Sequence, residues 1–169
     1  VVDLGGAISG DGSRPGLHVL REIVVGCPVP VQYGGGLRSL MDLREALDAG
    51  AQWVITGTAA VADPDFLVAA AGEFGDRLIL AVDLRAEQLL IRGWQAAVPL
   101  GVDELLDRAI AAGVRQIMVT DASSDGTLRG LQLSAFTPFL DRGLAIIAAG
   151  GAAGLSDIAA LAGWGAGRG

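Results

Sequence analysis

PVPVQYGGGLRSLMDLREALDAGAQWVITGTAA, residues 28–60, reads as a strand, a glycine loop, a helix, a second strand and a second glycine-bearing loop. Val29, Val31 and Tyr33 supply β-forming character, and Gly34-Gly35-Gly36 stop the strand abruptly. Ser39 is placed to cap the next helix, with Asp42 three residues on in the first turn, where the helix dipole favours a negative charge. Leu40, Leu43 and Leu47 fall on one helical stripe, and Gly50 ends the helix. Trp53-Val54-Ile55 then makes a short apolar strand that delivers Gly57 and Thr58 to the same edge as the triple glycine. Two bare-backbone loops at the C-terminal ends of neighbouring parallel strands form a phosphate cradle, because unshielded N–H groups and helix N-termini attract anions.

The rest of the chain repeats this grammar. Val1 to Leu4 reads as the tail of a strand, Gly5 to Gly16 as a glycine-rich loop and Leu17 to Val25 as a short helix. Asp63-Pro64 starts another helix, expected to run to about Gly72. LILAV, residues 78–82, is an apolar strand ending at Asp83; a β-like excursion follows over 87–92 and leads to Gly93-Trp94. Asp103 opens a helix closed by Gly113, and QIMVT, residues 116–120, is a strand ending at Asp121 with SSDGT as its loop. Leu131 to Leu140 is expected to be helical, Leu144 to Ala148 a strand ending at Gly150-Gly151, and Ser156-Asp157 the start of a last helix.

Continuous apolar strands alternating with amphipathic helices mean parallel β-structure covered on both faces. The strand ends recur about every 29 residues, so eight units need roughly 235, close to the length of a (β/α)8 barrel. The expectation is a single α/β domain over 1–169 holding about strands 2 to 7 of such a TIM barrel, without the first and last. An internal repeat favours the barrel over a doubly wound sheet. A shift of 115 residues aligns Gly35 with Gly150, Gly36 with Gly151, Leu40 with Leu155 and Asp42 with Asp157; Asp3 and Asp121 correspond at a shift of 118.

Composition narrows the function classes. The 169 residues are 51% hydrophobic, enough for one sizeable core, with no run of 18 apolar residues and hence no expected membrane span. A formal net charge of −7 argues against electrostatic nucleic-acid binding, while leaving room for a phosphorylated small molecule held by backbone amides. Cys27 is the only cysteine, which excludes an internal disulfide and fits a reducing cytoplasm; its plainer role is a small apolar filler. His18 is the only histidine and falls on a helix face, so neither a His-based metal cluster nor a Ser-His-Asp triad can be assembled.

In a barrel, side chains at strand C-termini line the active site. Asp3, Asp83, Thr120 and Asp121 occupy such positions, although an Asp after a strand is also a common turn former. For Asp83 the functional reading is stronger: a carboxyl at the rim of an apolar interior has its pKa raised by burial, which suits a general acid. Trp94 either stacks on a ring-bearing substrate or packs on the rim, and Arg85 and Arg92 either hold an anion or are solvated.

Taken together, VVDLGGA, VPVQYGGGLRS, VITGTAAVADP, FGDRLILAVDLR, IRGW, VTDASSDGTLRG and AAGG resemble the phosphoribosylformimino-5-aminoimidazole carboxamide ribotide isomerases of histidine biosynthesis, in order and over nearly the whole chain. TGTAA, the Asp-Ala-Ser-Ser-Asp-Gly-Thr loop and Arg-Gly-Trp are isomerase-like rather than similar to the related cyclase subunit of imidazole glycerol phosphate synthase. The resemblance implies an Amadori aldose–ketose rearrangement of a bisphosphorylated ribotide. Asp83 matches the general acid, Thr120 assists it and Asp121 lines the site; the general base belongs to a strand preceding Val1. Gly35, Gly36, Gly57 and Thr58 match one phosphate site, Gly150 and Gly151 half of the other, and Asp3, Arg92 and Trp94 are further candidates for substrate contact. Ser124 departs from the Arg or Lys usual before Asp-Gly-Thr. No metal or organic cofactor is implied, since proton shuttling suffices, and the full-length parent is expected to be a monomer, with this piece alone inactive. The competing reading is a non-catalytic phosphate-binding module. A further variant of the isomerase also accepts phosphoribosyl anthranilate.

Overall fold

The computed structural model describes residues 1–9, 16–86 and 88–166. It is an α/β fold built on one mixed sheet of seven strands: β1 (Gln32–Gly34), β2 (Trp53–Thr56), β3 (Leu78–Arg85), β4 (Gln88–Ile91), β5 (Ala96–Ala97), β6 (Gln116–Asp121) and β7 (Ala145–Ala149). Five of them run parallel in the order β1-β2-β3-β6-β7, and Val2 adds a parallel bridge to Gly34 outside β1. The chain therefore lays its parallel strands down in sequence order, with no reversal of the kind that marks a doubly wound sheet. The excursion after β3 is an antiparallel hairpin, β4–β5. β2 pairs with residues 78–80 of β3 and β4 pairs with residues 83–85, so the hairpin continues the edge that β2 vacates.

Helices cover one face: α2 (Gly16–Gly26), α3 (Leu40–Asp48), α5 (Pro64–Phe74) and α6 (Val102–Ala111), with the short α4 (Thr58–Ala62) and the terminal α7 (Leu155–Ala166). Strand alternation sends Val54, Leu80, Val82, Ile117 and Val119 into the core against Leu43, Leu67, Ala70, Leu105 and Leu106. The opposite face carries Ile55, Ala81, Asp83, Met118 and Thr120. The α3 start forms as expected: Ser39 and Asp42 make a reciprocal capping box. Asp63 caps α5, which runs to Phe74 rather than stopping near Gly72. His18 is exposed on α2, and Cys27 is partly buried against the core. Among the described residues no helix is long and apolar enough to cross a membrane.

Three element readings need correction, the first being that α4 (Thr58–Ala62) forms where the sequence reads as a second glycine-bearing loop. The stretch after Asp3 is not loop throughout: Leu4–Ser9 forms a helix, α1, with Ala7 N–H donating to the Asp3 carbonyl at 2.9 Å and Gly6 N–H to its carboxylate at 2.9 Å. Residues 10–15 of that expected loop lie outside the described residues. The segment expected to be an α-helix over 131–140 is a 3-10 helix over Leu133–Phe139, tightened around Pro138, which has no N–H to continue an α-helix.

The internal repeat appears in the backbone. Gly35 (φ 110°) and Gly150 (φ 97°) lie so close to Asp3 and Asp121, respectively, that an added Cβ would meet those residues' carbonyl oxygens at 2.2 and 2.7 Å. Asp42 accepts from the N–H groups of Arg38 and Ser39 at 2.8 and 2.9 Å, and Asp157, 115 positions on, accepts from Ala153 and Gly154 at 2.8 and 3.0 Å.

Candidate active site

The face of the sheet opposite α2, α3, α5 and α6 opens into a cavity of about 640 Å³ at the C-terminal ends of the parallel strands, with Leu4, Ala7 and Ile8 of α1 in its lining. Strand periodicity explains its lining. Asp83 and Thr120 are register partners across β3 and β6, so their side chains project from the same face. β3 runs on to Arg85, which makes Asp83 an in-strand residue, half-buried, rather than the strand's last. Burial is the main cause that pushes its carboxyl above the ordinary carboxylate pKa. The negative charge of Asp125 pushes the same way, while the side chains of Thr120 and Trp94 approach the carboxyl and partly oppose the shift.

Gly35 and Gly36, after β1, and Gly57 and Thr58, after β2, line the same cavity beside Asp83 and Trp94. Gly57 precedes α4 without any side-chain cap, which leaves the N–H groups of that first turn free of side-chain acceptors. Seven candidates named from the sequence are thus brought together: Asp83, Thr120, Gly35, Gly36, Gly57, Thr58 and Trp94.

Five others are not among its lining residues. The Asp3 carboxylate accepts from Gly6 N–H, Gly16 N–H and the Tyr33 hydroxyl at 2.9, 2.9 and 3.2 Å, which ties the chain start to α1, α2 and β1. Asp121 follows the inward Thr120 and so projects from the other face. There it accepts from Ser123 N–H at 2.9 Å and the Ser124 hydroxyl at 2.6 Å, beside a smaller cavity of about 340 Å³. Gly150 and Gly151 pack on the β6 turn, with Gly151 accepting Gly130 N–H at 2.8 Å. Arg92 is exposed, and its backbone N–H rather than its guanidinium reaches the site's edge, donating to the Thr58 hydroxyl at 2.8 Å.

Two charged lining residues were not among the sequence candidates. Asp125 looked like part of a turn, and it is: its N–H donates to the Asp121 carbonyl at 3.0 Å. That turn nevertheless sets its side chain at the cavity near Asp83. Arg38 looked like a helix-start residue. Its Nη2 donates to the Gly6 carbonyl at 3.2 Å, and its buried Nη1 has no partner among the described residues, on a side chain that lines the cavity. A basic residue two positions after a glycine cradle was the available signal. The cavity therefore combines a half-buried acid, a second carboxyl, a guanidinium and two glycine loops.

Residues 1–169 match the family model described as histidine biosynthesis protein. A 1-(5-phosphoribosyl)-5-((5-phosphoribosylamino)methylideneamino)imidazole-4-carboxamide isomerase of Synechococcus sp. (strain JA-2-3B'a(2-13)) is 43% identical over 162 residues, 95% of this chain and 61% of that protein. Proteins of the same name from Rubrobacter xylanophilus and Moorella thermoacetica are 45% and 40% identical, covering 96% and 95% of the chain and 65% and 66% of their own lengths. The chain thus spans a little under two thirds of these curated relatives.

Proposed function

The chain belongs to the histidine biosynthesis protein family, and from that premise we propose that it carries the acid–base centre of an aldose–ketose isomerase acting on a ribotide with two phosphoribosyl groups. In this reading the parallel strands are consecutive strands, about 2 to 7, of a (β/α)8 barrel whose mouth is the 640 Å³ cavity. Asp83, whose carboxyl burial and the charge of Asp125 push towards the protonated form, gives its proton to the ribose ring oxygen as the C–O bond opens. The imine so formed loses a proton from the neighbouring carbon to a carboxylate, and the resulting enolamine becomes the aminoketose. Thr120, the register partner of Asp83, holds the acid in place. Gly35, Gly36, Gly57 and Thr58 cradle one phosphate, with Arg38 as the neighbouring cation. The reaction is a proton shuffle and calls for no metal or organic cofactor; a soluble enzyme of the cytoplasm fits it.

The observation that supports this reading is the half-buried Asp83 in register with Thr120 on the rim that also bears Gly35 and Gly57. The related cyclase is not favoured, since each of the three relatives carries the isomerase name. Asp83→Asn in the intact gene product is expected to lower kcat by roughly 10²- to 10⁴-fold while substrate still binds. Full turnover in that variant would remove Asp83 from the acid role.

A further inference from the structure

The hairpin between β4 and β5 turns through Arg92, Gly93 and Trp94, all left-handed, with φ of 56, 61 and 68°. Arg92 and Trp94 carry side chains, for which that conformation is strained, so the turn keeps its shape only where its surroundings hold it. Two neighbours do so. The Thr58 hydroxyl accepts the Arg92 N–H at 2.8 Å, across 34 residues of sequence, and Gly93 lies against Ile8 and Ala7 of α1, where an added Cβ would stand 3.3 Å from the Ile8 side chain. Because β4 continues the edge that β2 leaves, the hairpin stands directly above the loop bearing Gly57 and Thr58. Trp94 at the end of this turn lines the cavity with Asp83 and approaches its carboxyl.

We propose that Thr58, by holding the Arg92 N–H, fixes the left-handed turn and so sets Trp94 against Asp83, making Thr58 a positioning residue that links the glycine cradle to the acid. A hydroxyl that accepts one hydrogen bond keeps its own proton to donate. Thr58 therefore reports to the hairpin what occupies the cradle: an anion that accepts a hydrogen bond from its hydroxyl strengthens its bond to Arg92 through polarisation of the shared oxygen. Valine keeps the shape of threonine and loses both bonds, whereas serine keeps them.

Tryptophan emission of the purified chain, followed from pH 3 to pH 8, tests this without requiring turnover, because a protonated carboxyl quenches an indole in contact with it more than a carboxylate does. A quenching step missing from both Trp94→Phe and Asp83→Asn is the signature of the pair. The expected result is that Thr58→Val loses at least half the amplitude of that step while remaining folded by circular dichroism, and that Thr58→Ser retains it. A full-amplitude step in folded Thr58→Val, or no pair-specific step in the unmodified chain, overturns the proposal. Its kinetic consequence rests on the isomerase reading: Thr58→Val lowers kcat more than it raises KM, and serine restores kcat. A retained emission pattern without isomerase activity in the intact gene product would refute that reading and leave the positioning intact.

Discussion

Replacing Gly35 by alanine probes the closest backbone approach in the molecule's first half. An added Cβ would stand 2.2 Å from the Asp3 carbonyl oxygen and 2.8 Å from its carbonyl carbon and nitrogen, all main-chain atoms with no rotamer to yield. The φ of 110° adds conformational strain, about 1–2 kcal/mol for a side chain forced into positive φ. Overpacking against rigid surroundings adds about 1–3 kcal/mol, so Gly35→Ala destabilises by about 3 kcal/mol. In a chain of this size that lowers Tm by roughly 6–12 °C. Gly150→Ala repeats the insult more mildly, because its Cβ would meet the Asp121 oxygen at 2.7 Å. Gly72 is the control: it lies exposed in α5 with nothing within 4 Å of the added carbon, and alanine there stabilises by about 0.5–1 kcal/mol. Urea unfolding of the three variants at constant m-value measures the ranking. A Gly35→Ala protein within about 1 kcal/mol of the parent would refute the packing of the Asp3 turn on the glycine loop.

Two pH-dependent outcomes follow from the carboxyls. Asp83, with its folded pKa raised, stabilises fully only below the unfolded value near pH 4, and that contribution falls away as pH rises through the folded value. Asp83→Asn is therefore more stable than the parent in urea at pH 7, and the gap closes in acid. Asp157 behaves oppositely: the N–H groups of Ala153 and Gly154 hold its pKa down, so its contribution is present above about pH 4 and is lost as pH falls through the depressed value. Asp157→Ala lowers the urea midpoint at pH 7 and matches the parent at low pH; a gap that persists in acid would contradict the capping role.

Strand identity and order were legible because five apolar runs recur between amphipathic helices, and the Ser39–Asp42 and Asp63–Pro64 starts carry their own capping chemistry. The glycine loops and Asp83 followed from that order. What stayed hidden depended on orientation. Thr120 and Asp121 are adjacent, and two-residue periodicity allows only one of them to face the cavity; the sequence reading credited both. Asp125 was concealed by its turn, since a residue four beyond a strand end has no fixed direction until Ser124 and Asp125 N–H groups close on the Asp121 carbonyl. The helix at Leu4–Ser9 was masked by Gly5 and Gly6, poor helix formers rescued by the Asp3 carboxylate and by packing under Gly36.

The repeat bears on how an acidic chain could hold the proposed anion, because its two halves share a backbone and differ in side chains. Both halves bring a glycine onto an Asp carbonyl and cap a helix with an Asp three residues past its start, so the backbone scaffold is duplicated. The side chains on it have diverged: Arg38 and Ser39 in the first half correspond to Ala153 and Gly154 in the second, and Gly6 to Ser124. Among the described residues, the first half sets a guanidinium, with one nitrogen lacking a partner, beside its glycines in the cavity. In the proposed reading, an anion at the first cradle meets a fixed positive charge as well as amides. With 12 basic residues against 19 acidic ones, attraction has to come from such local geometry, because the field of the whole chain repels an approaching phosphate.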